Sequence, residues 1–171
     1  MTVDEDLRRN RLMFYRRDVE RIDRCLSEFL KMSGAKSALL VDREGHLVAR
    51  QGETLTIDMD TISALVAGSF AATKEMARLL GEDEFTALYH QGRRDNIQLS
   101  LVGDRTLLTV LFDDRTTLGM VRLYAAESTK KLEAVFDDIL ASGGAGKDAD
   151  EDLSADYSDS AIGTLDDVFG G

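Results

Sequence analysis

Phe112-Asp113-Asp114-Arg115-Thr116-Thr117-Leu118-Gly119-Met120-Val121-Arg122-Leu123 carries the chain from an apolar strand into a helix. The acids and threonines at its centre are turn and cap chemistry, and no catalytic nucleophile stands among them. Before it, Leu107-Leu108-Thr109-Val110-Leu111-Phe112 is apolar on both sides, as a central strand is. After it, a helix is expected from about Leu118 to Leu140, with Val121, Leu132, Val135, Phe136 and Ile139 as its apolar positions, ended by the run Gly143-Gly144-Ala145-Gly146.

Working outward, strands are expected at Glu84 to Gln91, Asn96 to Val102 and Arg105 to Phe112, joined by turns at Gly92 to Asp95 and Gly103-Asp104. In the middle strand Ile97, Leu99 and Leu101 alternate with Gln98 and Ser100, the pattern of one buried face. Upstream, Tyr15 to Met32 places Val19, Ile22, Leu26, Phe29 and Leu30 on one face of a helix that stops near Gly34. Ala35 to Asp42 and His46 to Gln51 then read as a hairpin turned at Glu44-Gly45. A second long helix begins at Asp58 or Asp60 and stops at Gly81. The order is αββαβββα. Short turns between successive strands forbid parallel crossovers, so the fold class is α+β, an antiparallel sheet with helices packed over it.

The chain has 171 residues, 43% of them hydrophobic, enough for one cored domain and a polar remainder. No apolar run approaches the ~20 residues that span a bilayer. The acids in Thr2-Val3-Asp4-Glu5-Asp6 stand where a secretory leader carries bases, so a cytoplasmic location is expected. Cys25 is the single cysteine, which excludes an internal disulfide and, with only His46 and His90 besides, leaves too few soft ligands for a zinc centre; no metal and no cofactor are expected. The net charge of −11 disfavours nucleic acid, although eight acids against Lys147 alone put −7 of it between residues 143 and 171. Arg8, Arg9, Arg11, Arg16 and Arg17 flank Leu12-Met13-Phe14-Tyr15, a basic aromatic cluster read either as a solvated helix start or as a contact for anionic lipid or an acidic partner. The expected organisation is a basic segment over 1–13, the domain over 14–141, an acidic glycine-rich linker over 142–159 and a short amphipathic segment over 160–171.

Catalytic readings do not hold. Gly143 to Asp148 lacks the glycine that a phosphate loop needs at Ala141 and the hydroxyl it needs at Asp148. Asp113 and Asp114 are adjacent at a strand end and point apart, so turn and cap roles explain them. His90 has no partner for general-base work, and Cys25 beside an apolar stripe reads as an inert thiol. No catalytic residue is expected.

The second helix says more. At 100° per residue, Ile62, Leu65, Val66, Ser69, Ala72, Met76, Leu79 and Leu80 fall on one side and read as a core stripe. Ala64, Ala67, Gly68, Ala71, Lys74, Glu75 and Arg78 fall on the other, whose first half is almost bare of side chains. A helical glycine costs about 1 kcal/mol relative to alanine, so Gly68 calls for a packing reason, within the chain or between chains. Phe70, between the two sides, suits a subunit interface.

Three stretches, Leu40-Val41-Asp42 before the glycine hairpin, Leu65-Val66-Ala67-Gly68 through Ala72, and Phe112 to Leu123, are together similar to the Roadblock/dynein light chain family, in its MglB-like branch. The resemblance covers about residues 14 to 141. It implies a profilin- and longin-like sandwich, a five-stranded antiparallel sheet with helices on both faces, that pairs as a homodimer. It further implies a regulator without catalytic residues, a GTPase-activating protein for a Ras-like, MglA-type small GTPase in bacterial cell polarity and motility, concentrated at a cell pole. Carried onto this chain, the GTPase-binding residues are Ala64, Ala67, Gly68, Ala71, Glu75 and Arg78, with Phe70 at the dimer interface. Lys74-Glu75 departs from the small residues of the MglB-like pattern and implies a compensating charge on the partner. Ile162, Leu165, Val168 and Phe169 recur at helical spacing, similar to a C-terminal segment that folds on the GTPase; a loose end docking on its own domain is the other reading. Two functions compete with activation: a Roadblock scaffold or adaptor in a signalling or trafficking complex, and a small-molecule sensor.

Overall fold

The computed structural model describes residues 16–53 and 57–145, with side chains to residue 141. The basic cluster from Arg8 to Tyr15, the linker beyond residue 145 and the segment with Ile162, Leu165, Val168 and Phe169 lie outside the described residues. The elements are α1 (Arg16–Ser33), β1 (Ser37–Asp42), β2 (Leu47–Gly52), α2 (Met59–Leu79), β3 (Ala87–Gln91), β4 (Asn96–Val102), β5 (Thr106–Phe112) and α3 (Leu118–Ala145). By its contacts the chain divides into residues 1–135, which hold the sheet, and residues 136–171, of which the end of α3 is described.

The five strands form one antiparallel sheet in the order β2-β1-β5-β4-β3. β1 and β5 are central because their residues are apolar on both faces, and β5 is buried along its whole length. Their register, Leu39 opposite Thr109 and Val41 opposite Leu107, puts Leu39, Val41, Leu107 and Leu111 on one face with Leu99 of β4. That face carries α2: Val66 and Phe70 pack with Leu99 and Leu107, while Met59 and Ile62 cover Leu39, Val41 and Leu111. The opposite face carries α1 and the first part of α3. Ser27 of α1 bonds Gln51 of β2, Arg122 of α3 lies 6.0 Å over the Tyr89 ring, and Lys131 of α3 reaches Glu28 of α1 at 3.5 Å.

The strand-to-helix junction ties these layers together. Thr116 Oγ1 donates to Ser33 O at 2.6 Å and so satisfies a carbonyl at the end of α1. Thr117 Oγ1 accepts from Met120 N at 3.2 Å and caps α3. Asp113 accepts from the backbone N–H and the guanidinium of Arg115, whose other arm reaches Glu53 at 2.9 Å. Lys36 adds a bond of 2.9 Å to Asp95 in the β3–β4 turn.

Element bounds depart from expectation at a few ends. β3 begins at Ala87 rather than Glu84. α3 runs through Gly143 and Gly144 to Ala145, because a helix's backbone bonds need no side chains and the cost of glycine is small beside the ladder it continues.

Candidate functional site

α2 is built for a fixed phase on the sheet. Asp58 is its N-cap, with Oδ1 accepting from the N–H of Asp60 and Thr61 at 3.1 and 3.3 Å and Oδ2 from the Thr61 hydroxyl at 2.7 Å. These bonds, led by the Thr61 hydroxyl, hold the Asp58 carboxyl below its ordinary value. At the other end Gly81, with φ +82°, lets Glu82 N–H reach back to Ala77 O at 2.9 Å, a Schellman stop. Inside, Ser63 and Thr73 turn their hydroxyls onto the carbonyls of Met59 and Phe70, both at 2.7 Å, so each polar side chain is buried with a partner.

The rotation of α2 corrects the sequence reading. The side against the sheet is Ser63, Val66, Ala67, Phe70, Thr73 and Ala77. Phe70, expected at a subunit interface, is 2% exposed and belongs to the chain's own core; Ala67, expected on the GTPase platform, is 6% exposed on the same side. The cause is geometric. Leu99 and Leu107 already fill the volume above β4 and β5, so small residues at 63, 67 and 77 bring the helix close, and Phe70 enters between the leucines.

Most of the residues expected in the core are therefore outside. Leu65, Met76, Leu79 and Leu80 are 64%, 53%, 77% and 74% exposed, and Ala72 is exposed with them. Isolated exposed leucines are ordinary, but Leu65, Met76 and Leu79 form a stripe, within about 60° of one another on the helical projection, with Ala72 between them and Leu80 at the cap. Beside the stripe Ala64, Gly68, Ala71, Glu75 and Arg78 are also exposed, and Glu75 and Arg78 form an i,i+3 ion pair. Of the six platform residues expected, five are thus brought together on one outward arc. A Cβ added to Gly68 would meet nothing within 4 Å, so packing within the chain does not account for the glycine. Gly45 is the opposite case: at φ +94° it presses the β1–β2 turn onto α2, where an added Cβ would lie 3.0 Å from Ala64 Cα. The stripe itself is legible in the sequence and its outward direction is not, although Val66, Phe70, Thr73 and Ala77 recur at spacings of four, three and four as a second, narrower stripe.

The remaining candidates resolve into structural roles. Asp113 is engaged by Arg115, first through the guanidinium bond and then the backbone N–H, and its carboxyl is held below the usual range. Asp114 is exposed beside it. The Cys25 thiol is half-buried rather than fully so, and burial together with Glu28 pushes its pKa up, away from a nucleophile's thiolate. His90 is exposed on β3. The hairpin brings donor atoms of Asp42, Glu44 and His46 within 4.8 Å of one another, two carboxylates and an imidazole that counting cysteines and histidines overlooks. Asp42 Oδ1 there accepts the backbone N–H groups of Glu44 and His46 at 2.9 and 2.8 Å, which accounts for the cluster as a turn. Among the described residues no helix is long and apolar enough to cross a membrane.

A sequence profile of the Roadblock/LC7 domain matches residues 21–112, more than half of the chain. Among solved structures, the gliding protein MglB of Thermus thermophilus is similar with a TM-score of 0.71 and 34% identity, over 74% of this chain and 96% of its own. MglB of Myxococcus xanthus is similar with a TM-score of 0.70 and 35% identity, over the same shares. An uncharacterised protein of Methanocaldococcus jannaschii is 26% identical over 115 residues, 67% of this chain and 99% of its own. The chain belongs to the Roadblock/LC7 domain family, as an MglB-like protein.

Proposed function

We propose that the chain is a homodimeric GTPase-activating protein that binds a Ras-like, MglA-type GTPase and speeds GTP hydrolysis by ordering its switch regions. The observation that carries this reading is the outward surface of α2. Its apolar stripe, Leu65, Ala72, Met76, Leu79 and Leu80, suits a second copy of the chain, since covering each large side chain yields roughly 1.5–3 kcal/mol. Its neighbouring arc suits the GTPase. Ala64, Gly68 and Ala71 carry at most a methyl group, which lets a switch backbone lie close, and Glu75 and Arg78 set its polar end.

Arg78 is paired with Glu75 rather than held free, which fits positioning better than an inserted arginine finger. The GTPase's own groups then do the chemistry, and this chain makes and breaks no bond. Activation is population shift, limited by the difference in affinity for competent and incompetent switch states. Ile162, Leu165, Val168 and Phe169 are assigned to a second contact on the same GTPase, by their apolar spacing within an acidic segment. The similarity to a gliding protein fits a role in cell polarity and motility, in the cytoplasm and toward a pole.

Single-turnover GTP hydrolysis by an MglA-type GTPase, with and without this protein, tests the reading. Acceleration supports it; binding without acceleration replaces it with the scaffold. Removing residues 153–171 is expected to weaken binding while the domain stays folded, and unchanged affinity would remove the second contact.

A further inference from the structure

We infer that the groove along the C-terminal half of α2 reads the partner's charge, accepting a lysine or arginine side chain against Glu82 and Asp83. This rests on the proposed GTPase reading of α2 and adds the sign and place of one specific contact. The Schellman stop at Gly81 folds the chain back beside the helix, so that Glu82 and Asp83 join Ala71, Lys74, Glu75 and Arg78 around a concavity of about 410 Å³. Ala71 supplies a methyl-sized wall, which leaves room for a long side chain to enter.

The charges in the groove are not balanced. Glu75 and Arg78 neutralise each other as an ion pair. The side chains of Lys74, Glu82 and Asp83 form no ion pair or hydrogen bond among the described residues, which leaves two acids against one base. In open water this costs little. Under a protein partner each acid loses hydration, and the loss is offset when the partner brings a cation to it.

Position decides which partner that is. On the helical projection Glu75, Ala71, Arg78 and Lys74 lie between about 70° and 170° round from the centre of the apolar stripe, so a second copy seated on Leu65, Met76 and Leu79 leaves most of the groove open. The groove shares Ala71, Glu75 and Arg78 with the arc proposed for the GTPase, and a GTPase seated there covers its rim.

The test is the affinity of the full chain for an MglA-type GTPase loaded with a non-hydrolysable GTP analogue. The double variant Glu82→Lys/Asp83→Lys is expected to bind about tenfold more weakly, with the fall carried in the association rate and reduced by salt. Lys74→Glu is expected to bind more tightly. Circular dichroism and sedimentation check that each variant keeps its fold and assembly, and Glu82→Gln/Asp83→Asn gives a milder pair should the reversal not fold. Equal affinities across all variants, or effects of the opposite sign, overturn the inference while the GTPase reading stands. An unaltered protein that does not bind the GTPase overturns both.

Discussion

Both sides of α2 carry large apolar residues, where a surface helix ordinarily confines them to one. The side against the sheet carries Met59, Ile62, Val66 and Phe70 among Ser63, Ala67, Thr73 and Ala77, while the side facing away carries Leu65, Met76 and Leu79, with Leu80 at the cap. A second apolar stripe that points away from its own domain is a surface suited to another chain. The sheet sets its position through close approach, and the outward stripe and its small-residue neighbour stay exposed.

The sharpest break in this contrast comes from exchanging residues between the sides. Phe70→Ala is expected to destabilise the domain by about 3–5 kcal/mol in urea unfolding, because it empties a site walled by Val66, Leu99 and Leu107. An interface role for Phe70 would show instead as lost assembly with unchanged monomer stability. Leu65→Asp with Leu79→Asp should leave the fold intact and dissociate the assembly in sedimentation experiments; unfolding would mean that the stripe serves the chain's own core. Adjacent positions sharpen the comparison further. Ala67→Leu is expected to cost about 1–3 kcal/mol by overpacking against the sheet. Gly68→Ala, one residue on, meets open space and should stabilise the helix by roughly 0.5–1 kcal/mol in thermal melts.

The smallest effect is electrostatic and belongs to the junction. The Asp113 carboxyl is depressed by Arg115, so its contribution is fully present above the ordinary aspartate value of about 3.9 and is lost as pH falls through the lower folded value. Asp113→Asn should therefore lower the urea midpoint slightly near neutrality, and the gap from the unaltered protein should close on acidification below about pH 4. A gap that is constant down to pH 2 would assign the loss to the turn's geometry rather than to the carboxylate.

The architecture was legible because its signals are local. Alternation in Ile97, Leu99 and Leu101, two-sided apolarity in Leu107 to Phe112, the cap at Asp58 and the stop at Gly81 each fix an element without reference to a partner. The phase of α2 was not legible from its widest stripe. Periodicity reports that an apolar arc exists, not which surface covers it, and the widest stripe joins Ile62 and Val66, which face the sheet, to Leu65, Met76 and Leu79, which do not. The site fared accordingly: Ala64, Gly68, Ala71, Glu75 and Arg78 share one exposed arc, while Ala67 and Phe70 turn inward by less than half a turn of helix. Glu82 and Asp83 could be found only once the backbone was seen to fold back beside Lys74, because sequence distance does not reveal that approach.

The central claim is that the outward arc of α2 acts on a GTPase. GTP turnover by an MglA-type GTPase, measured with the unaltered protein and with Ala71→Arg, tests it most directly, since residue 71 is exposed and its change leaves the core alone. The expected result is acceleration by the unaltered protein and its loss with Ala71→Arg, with thermal stability and assembly unchanged. Acceleration that survives the arginine, or no acceleration by either protein, would contradict it.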